Sequence, residues 1–289
     1  MCLCAAGCSK SSDESSKTAD SKTSSVSAAD KNDSEKPAES TSDDSADEDS
    51  KVVNEQGELI TKTAALFDGD YTLKTTCTDS DGTVQTVERA KKGSDIYLKV
   101  TSDIGVSGFI YVDGTGYDYD NVTGVYHKTD VTELDGVIES IVKQDLPRTY
   151  GHIDDSDAEE YDVEEYTYTG DTYITVIDLY FDKADGSLKK YKQTYSVEGA
   201  DDKVSEYTVD KLADNADGVS FDVTEATNLV NFDEMTEDQR LGYCQGIFNK
   251  AGVTTDDLSS GGYQTDDLKT ISYDGFVELV YTYGFKPAQ

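Results

Sequence analysis

Gly108-Phe109-Ile110-Tyr111-Val112-Asp113-Gly114-Thr115-Gly116-Tyr117-Asp118-Tyr119-Asp120 holds an apolar strand, an Asp-Gly turn and an alternating Tyr-Asp strand. Asp-Gly between two such runs signals a β-hairpin, because glycine takes the positive φ that a tight turn requires. The same grammar spreads in both directions. Upstream, Tyr71-Thr72-Leu73-Lys74-Thr75-Thr76-Cys77 alternates, which puts Tyr71, Leu73, Thr75 and Cys77 on one face. Asp79-Ser80-Asp81-Gly82 turns into a strand from Thr83 to Ala90, and Lys92-Gly93 turns into Ile96-Tyr97-Leu98-Lys99-Val100. Downstream, Val125-Tyr126-His127 closes this half. Short strands with turn signals every 8–12 residues predict an antiparallel sheet.

The period then changes. Val131, Leu134, Ile138, Ile141 and Val142 fall at helical spacing, Asp130 is placed to cap that helix with Glu133 three residues on, and Leu146-Pro147 ends it. The acidic run from Asp154 to Glu165 reads as a surface loop that leads into a strand. Tyr173 to Phe181 pairs with Leu188 to Val197 across Asp182-Lys183-Ala184-Asp185-Gly186, and Tyr207-Thr208-Val209 and Phe221-Asp222-Val223 read as further strands. A second helix is predicted from Glu237 to Lys250. Thr236 and Gln239 form its capping box, Leu241, Cys244, Ile247, Phe248 and Ala251 its apolar stripe, and Gly252 its stop. Thr270 to Tyr273 and Phe276 to Tyr283 read as a closing strand pair across Asp274-Gly275.

Composition narrows the function. The chain has 289 residues, 60 of them acidic and 25 basic, for a net charge of -35. That excess argues against nucleic acid, whose phosphates need clustered Lys and Arg. The 20 Tyr and absence of Trp suit strands with one wet face, where the ring packs and the hydroxyl stays solvated.

Residues 1–8 end in Ala5-Ala6-Gly7-Cys8, which resembles the end of a bacterial lipoprotein signal: small residues leading up to a cysteine. A complete signal has a basic start and an apolar run before that point, and these are expected upstream of Met1. Cys8 is then the lipidated N-terminus. Two or three acyl chains hold a protein on a membrane durably, whereas one does so reversibly. Residues 9–56 are rich in Ser, Asp, Glu and Lys and carry no apolar periodicity, so they read as a disordered tether. A coil of that length spans roughly 35–40 Å. Residues 57–289 are expected to form a single β-rich domain.

The segment from Gly108 to Asp120, with Tyr126 and the helix that follows, resembles lipoproteins of the LolA/LppX type, as does Tyr180-Phe181-Asp182-Lys183 with Asp185-Gly186-Ser187-Leu188. The resemblance covers residues 65–200. It implies an α+β, mainly β fold: a curved antiparallel sheet forming an open half-barrel, with amphipathic helices on its concave face and an apolar cavity between them. It also implies an apolar or amphiphilic ligand, a lipid carrier or sensor role, and a position on the outer face of the cytoplasmic membrane. On that reading the ligand is lined by Phe109, Tyr111, Leu134, Ile138, Ile141 and Val142.

No catalytic motif stands against this. His127 and His152 have no HExxH, HxH or CxxC nearby, and no Gly-x-Ser-x-Gly elbow occurs. His127 is expected in a strand and His152 in a loop, both as ordinary histidines. The turns at Asp79–Gly82 and Asp182–Gly186 lack the EF-hand series and read as turns. No catalytic residue, cofactor or metal is therefore expected, and the chain is expected to be monomeric. Cys77 and Cys244 either pair or stay as separate buried thiols. The rival reading is a structural or protein-binding surface module with weak calcium binding in its acidic loops.

Overall fold

The computed structural model describes residues 52–53, 56–133, 136–143, 148–153, 159–260 and 262–283. A two-residue strand, β1 (Val52–Val53), comes first, followed by helix α1 (Glu58–Ala64). Six strands then form an antiparallel meander: β2 (Tyr71–Asp79), β3 (Val84–Lys92), β4 (Asp95–Ser102), β5 (Val106–Val112), β6 (Thr115–Asp120) and β7 (Val125–Thr129). Asp113 and Gly114 both take positive φ, 51° and 80°, which is the two-residue hairpin turn expected from the sequence.

Helix α2 (Val137–Lys143) leads to a second meander: β8 (Thr149–Ile153), β9 (Tyr161–Thr169), β10 (Tyr173–Asp182), β11 (Leu188–Val197) and β12 (Lys203–Ala213). β12 pairs with β2 and sets Tyr207 opposite Cys77 and Leu212 opposite Leu73. That pairing fuses the two meanders into one sheet. β1 lies on the far edge beside β8, and β13 (Val230–Asn231) runs parallel to β7 at the other edge. The sheet is therefore mixed, with its two ends formed by different strands rather than closed into a barrel. The remaining helices are α3 (Thr224–Thr227), α4 (Glu237–Lys250), α5 (Thr255–Ser260) and α6 (Tyr273–Tyr283). No helix among the described residues is long and apolar enough to cross a membrane.

The main core follows from the alternation in β2. Tyr71, Leu73, Thr75 and Cys77 are all buried. Leu73 and Cys77 pack with Leu179, Phe181, Tyr191 and Tyr207 from the sheet, and with Ile60 of α1 and Ile138 and Ile141 of α2. α4 has the predicted bounds and capping box, with Thr236 Oγ1 accepting from Gln239 N. Its Cys244 and Phe248 pack against Phe276, Leu279 and Val280 of α6. Cys77 and Cys244 form no disulfide and are buried in different clusters.

Several expectations are corrected. The closing strand pair is α6. Tyr273, Phe276, Leu279 and Val280 recur at helical spacing, all four are buried, and Ser272 Oγ accepts from Gly275 N at the first turn. The β-prone Tyr, Phe and Val of this segment suggest a strand, but contact with α4 selects the helix. The helix after β7 starts at Val137, six residues late. Val131 lies outside any helix and is 40% exposed, Thr129 Oγ1 accepts from its N–H, and Asp130 therefore caps no helix. Phe221-Asp222-Val223 is irregular chain that enters α3. His152 lies in β8, exposed, rather than in a loop. The end of the acidic run, Tyr161 to Glu165, is already strand.

Within that strand Glu164 is 2% exposed. Its carboxylate accepts from Leu59 N at 2.9 Å, Ile60 N at 3.1 Å and the Tyr166 hydroxyl at 3.0 Å. Tyr166 in turn accepts from Gly57 N at 2.9 Å. A sheet carboxylate thus caps α1, where free N–H groups and the helix dipole favour negative charge. Gly57 permits the approach: a Cβ there would lie 2.1 Å from the Glu164 carboxyl. Glu164→Ala removes the acceptor of three donors and should cost roughly 2–4 kcal/mol in urea unfolding. Glu164→Gln, which keeps one acceptor oxygen, should cost less. Equal stability of Glu164→Ala and wild type would show that water replaces the carboxylate.

Candidate functional site

The register fixes one continuous face. Thr75 lies opposite Val87, Val87 opposite Val100, Arg89 opposite Leu98, and Leu98 opposite Phe109. Phe109 then lies opposite Asp118, and Asp118 opposite His127. Side chains paired across neighbouring strands share a face. The face that carries α1 and α2 over the β2 side therefore continues through β3, β4 and β5 to β6 and β7.

Three zones follow along this face. The first is the core beneath α1 and α2. The last lies at β7, where buried Val125 joins the cluster of α4 and α6. Between them Val87, Leu98 and Phe109 form a separate cluster with half-buried Ile96, Val100 and Tyr111. Its members come from β3, β4 and β5 alone, and no helix contributes to it among the described residues. This band is the candidate site.

Buried polar groups mark its border with the first zone. Tyr71 Oη donates to Glu139 Oε1 of α2 at 3.0 Å, and Glu139 and Arg89 are 4% and 8% exposed. Gly136 nestles between them: a Cβ there would lie 2.4 Å from Glu139 Oε2 and 2.9 Å from Arg89 Nε. An apolar band beside a buried cation and carboxylate suits a ligand with an apolar body and a polar end.

The lining residues expected from the sequence divide between two zones. Phe109 and Tyr111 belong to the band. Ile138 and Ile141 are fully buried in the core beneath α1 and α2, and Val142 packs against that core. Leu134 and Cys8 lie outside the described residues. The sequence reading missed Leu98, Arg89 and Glu139. Leu98 and Arg89 have the parity of the band in their strands, a signal present in the alternation, whereas Glu139 is placed by the position of α2.

The acidic turns have local roles. Asp81 Oδ1 accepts from Thr83 N, Asp182 Oδ1 from Ala184 N and Asp185 Oδ1 from Ser187 N. Hydrogen bonds from Thr83 and Ser187 hold the Asp81 and Asp185 carboxyls below their usual pKa.

No family model matches this chain, and no curated protein matches it. Among solved structures it is similar to an uncharacterized conserved protein from Thermus thermophilus, at 8% identity and a TM-score of 0.35, over 59% of this chain and 91% of that one.

At the β7 end His127 joins the sheet to α6. Its ring stacks on Tyr273 at 4.2 Å with 19° between planes. Nε2 lies 3.4 Å from Asp118 Oδ2 and Nδ1 3.8 Å from Asp233 Oδ2. Burial opposes the charged ring, but Asp118, Asp233 and Asp274 outweigh it and raise the pKa. A folded-state pKa above the unfolded value stabilises the fold fully below the unfolded pKa, about 6.5, and the contribution is lost as pH rises through the folded value. The His127 contribution to unfolding free energy should therefore be full below about 6.5 and decline as pH rises above it. His127→Gln should remove that part of the pH dependence in urea titrations, whereas an unchanged profile would assign it to other groups.

Proposed function

We propose that this chain is a non-catalytic lipoprotein, tethered through Cys8 to the outer face of the cytoplasmic membrane, whose β-rich domain binds an apolar or amphiphilic ligand. The observation that carries the reading is the band of Val87, Leu98, Phe109, Ile96, Val100 and Tyr111, which lies on the helix-bearing face between two helix-covered zones. Three of its six residues are only half-buried, which leaves apolar surface for an acyl chain or similar body, worth roughly 25 cal/mol per Å² covered. Arg89 and Glu139 at its border supply the polar complement for a headgroup. In this reading the sheet curves as an open half-barrel and the helices lie on its concave side. The Ala5-Ala6-Gly7-Cys8 sequence and the long polar stretch after it support the anchor and the tether.

A second reading, a protein-binding surface module, is favoured by one observation. Tyr173 and Tyr195 stack at 5.6 Å where β10 meets β11, are 39% and 37% exposed, and stand beside Ile174, which is 44% exposed. Exposed aromatic pairs of this kind serve as anchors in protein interfaces.

Native mass spectrometry of the protein after incubation with membrane lipids, followed by organic extraction, separates the two. A bound lipid that leaves on extraction supports the carrier reading. Val100→Glu places a charge on half-buried apolar surface, and should reduce lipid uptake by at least about tenfold, the effect of roughly 1.4 kcal/mol, with an unchanged far-UV spectrum. A bare mass in every lipid tested would overturn the carrier reading in favour of the surface module.

A further inference from the structure

The chain from Val230 to Tyr283 has a core of its own at the β7 edge. Phe232, Cys244, Phe248, Leu268, Phe276 and Val280 pack together, and among the described residues Val125 of β7 is the one sheet residue buried with them. The core beneath α1 and α2 shares no residue with this cluster. Segments with separate cores open at separate free energies. Directional contacts join this segment to the sheet. Val230 N donates to Gly124 O at 3.1 Å, Phe232 N to Tyr126 O at 2.8 Å, Tyr243 Oη to Thr123 O at 2.8 Å and Tyr281 Oη to Asp120 at 2.6 Å.

His127 stands in the same junction, with Tyr273 of α6 stacked on its ring. Carboxylates reach it from three segments: Asp118 from β6, Asp233 from the turn before α4 and Asp274 from α6. The other charged groups nearby are engaged elsewhere. Asp120 is 1% exposed and accepts from Thr123 N at 2.6 Å as well as from Tyr281. Arg240 of α4 donates to Ile271 O at 3.1 Å and lies 4.9 Å from the Phe232 ring. Lys128 follows His127 in β7 and so points to the opposite face, where its Nζ lies 5.9 Å from the Tyr117 ring. Two of the three carboxylates around His127 belong to the C-terminal segment, and one belongs to the sheet. A protonated ring attracts both sides. A neutral ring leaves Asp118, Asp233 and Asp274 as like charges around an uncharged group, so the junction weakens when the proton leaves. Of the side-chain types in this junction, imidazole is the one that ordinarily changes charge between about pH 5 and 8.

We infer that His127 is a pH-sensitive clasp: its protonated ring holds the C-terminal helices on β7, and loss of the proton lets them open locally while the core beneath α1 and α2 stays closed. Opening uncovers Val125 and the edge of β7, whose backbone groups are then free to pair with another strand. The clasp does not depend on the lipid reading.

Two buried cysteines report the two cores separately. Cys77 lies in the main core and Cys244 in the C-terminal cluster, each 0% exposed. Burial pushes the Cys244 thiol up to about 12, so it reacts only after opening. The test is alkylation of the full chain with N-ethylmaleimide from about pH 5 to 8, with each cysteine followed by peptide mass spectrometry. Dividing each rate by that of the same cysteine in urea-unfolded protein at the same pH removes the intrinsic thiol titration. Local opening exposes less surface than unfolding, so Cys244 should be about tenfold or more less protected than Cys77, and its protection should depend less on low concentrations of urea. Cys244 protection should be steady below about pH 6.5 and fall by about twofold or more above it. His127→Gln should abolish that fall, and Asp118→Asn, which removes the carboxylate at 3.4 Å, should reduce it. Equal protection and equal urea dependence of the two cysteines would mean that Cys244 is reached only by global unfolding, and would overturn the clasp. So would Cys244 protection that is constant with pH, or that still falls in His127→Gln.

Discussion

The pairing of β12 with β2 is the constraint on which the rest of the structure depends. It joins strands more than a hundred residues apart in sequence, setting Tyr207 against Cys77 and Ser205 against Asp79. Without it there are two separate meanders, each with an open edge that could template further pairing. With it, the alternation of β2 continues in both directions, through β12, β11 and β10 on one side and β3, β4 and β5 on the other. One apolar face is created, too wide for a single short helix to cover. α1 and α2 cover one part of it, α4 and α6 meet it at β7, and the band between them receives no helix among the described residues.

Polar groups orient the covering elements. Glu164 caps α1 from the sheet, Glu139 of α2 accepts from Tyr71 of β2, and Tyr281 of α6 donates to Asp120 at 2.6 Å. Tyr243 of α4 donates to the carbonyls of Thr123 and Gly124 in the turn before β7. Each helix that packs on the face is thus fixed by a directional bond as well as by apolar contact. Such bonds select one arrangement among several that bury similar area. The high tyrosine content serves both ends of this arrangement, since a ring packs in the core while its hydroxyl reaches a polar partner.

The hairpins around Phe109 were legible because their signals are local: alternation within each strand, and Asp-Gly or Lys-Gly between strands. α4 was legible for the same reason, since Thr236 and Gln239 contact each other and Gly252 takes φ 73° without help from the rest of the chain. α6 was misread because Tyr, Val and Phe are frequent in strands, and its apolar stripe gains a reason to be helical from Cys244 and Phe248 of α4, from Phe232 and from His127 of the sheet. The start of α2 was misread because Val131 fits the helical period but lies outside the helix, 40% exposed. Of the candidate lining residues, Phe109 and Tyr111 share the band by simple parity, but Ile138 and Ile141 belong to a core that forms only once β2 has met β12.

The strand-rich class, the turn positions, the excess negative charge and the inward parity of each strand are written in the chain alone, because they reside in neighbouring residues and in composition. Folding in three dimensions settled the rest: which strands share a sheet, that the sheet stays open, that Glu164 in β9 caps a helix a hundred residues earlier, and that Lys99 pairs with Glu225 instead of its strand neighbour Glu88. Those outcomes depend on contacts between segments far apart in the chain, whose energies do not exist until the long loops between them have closed.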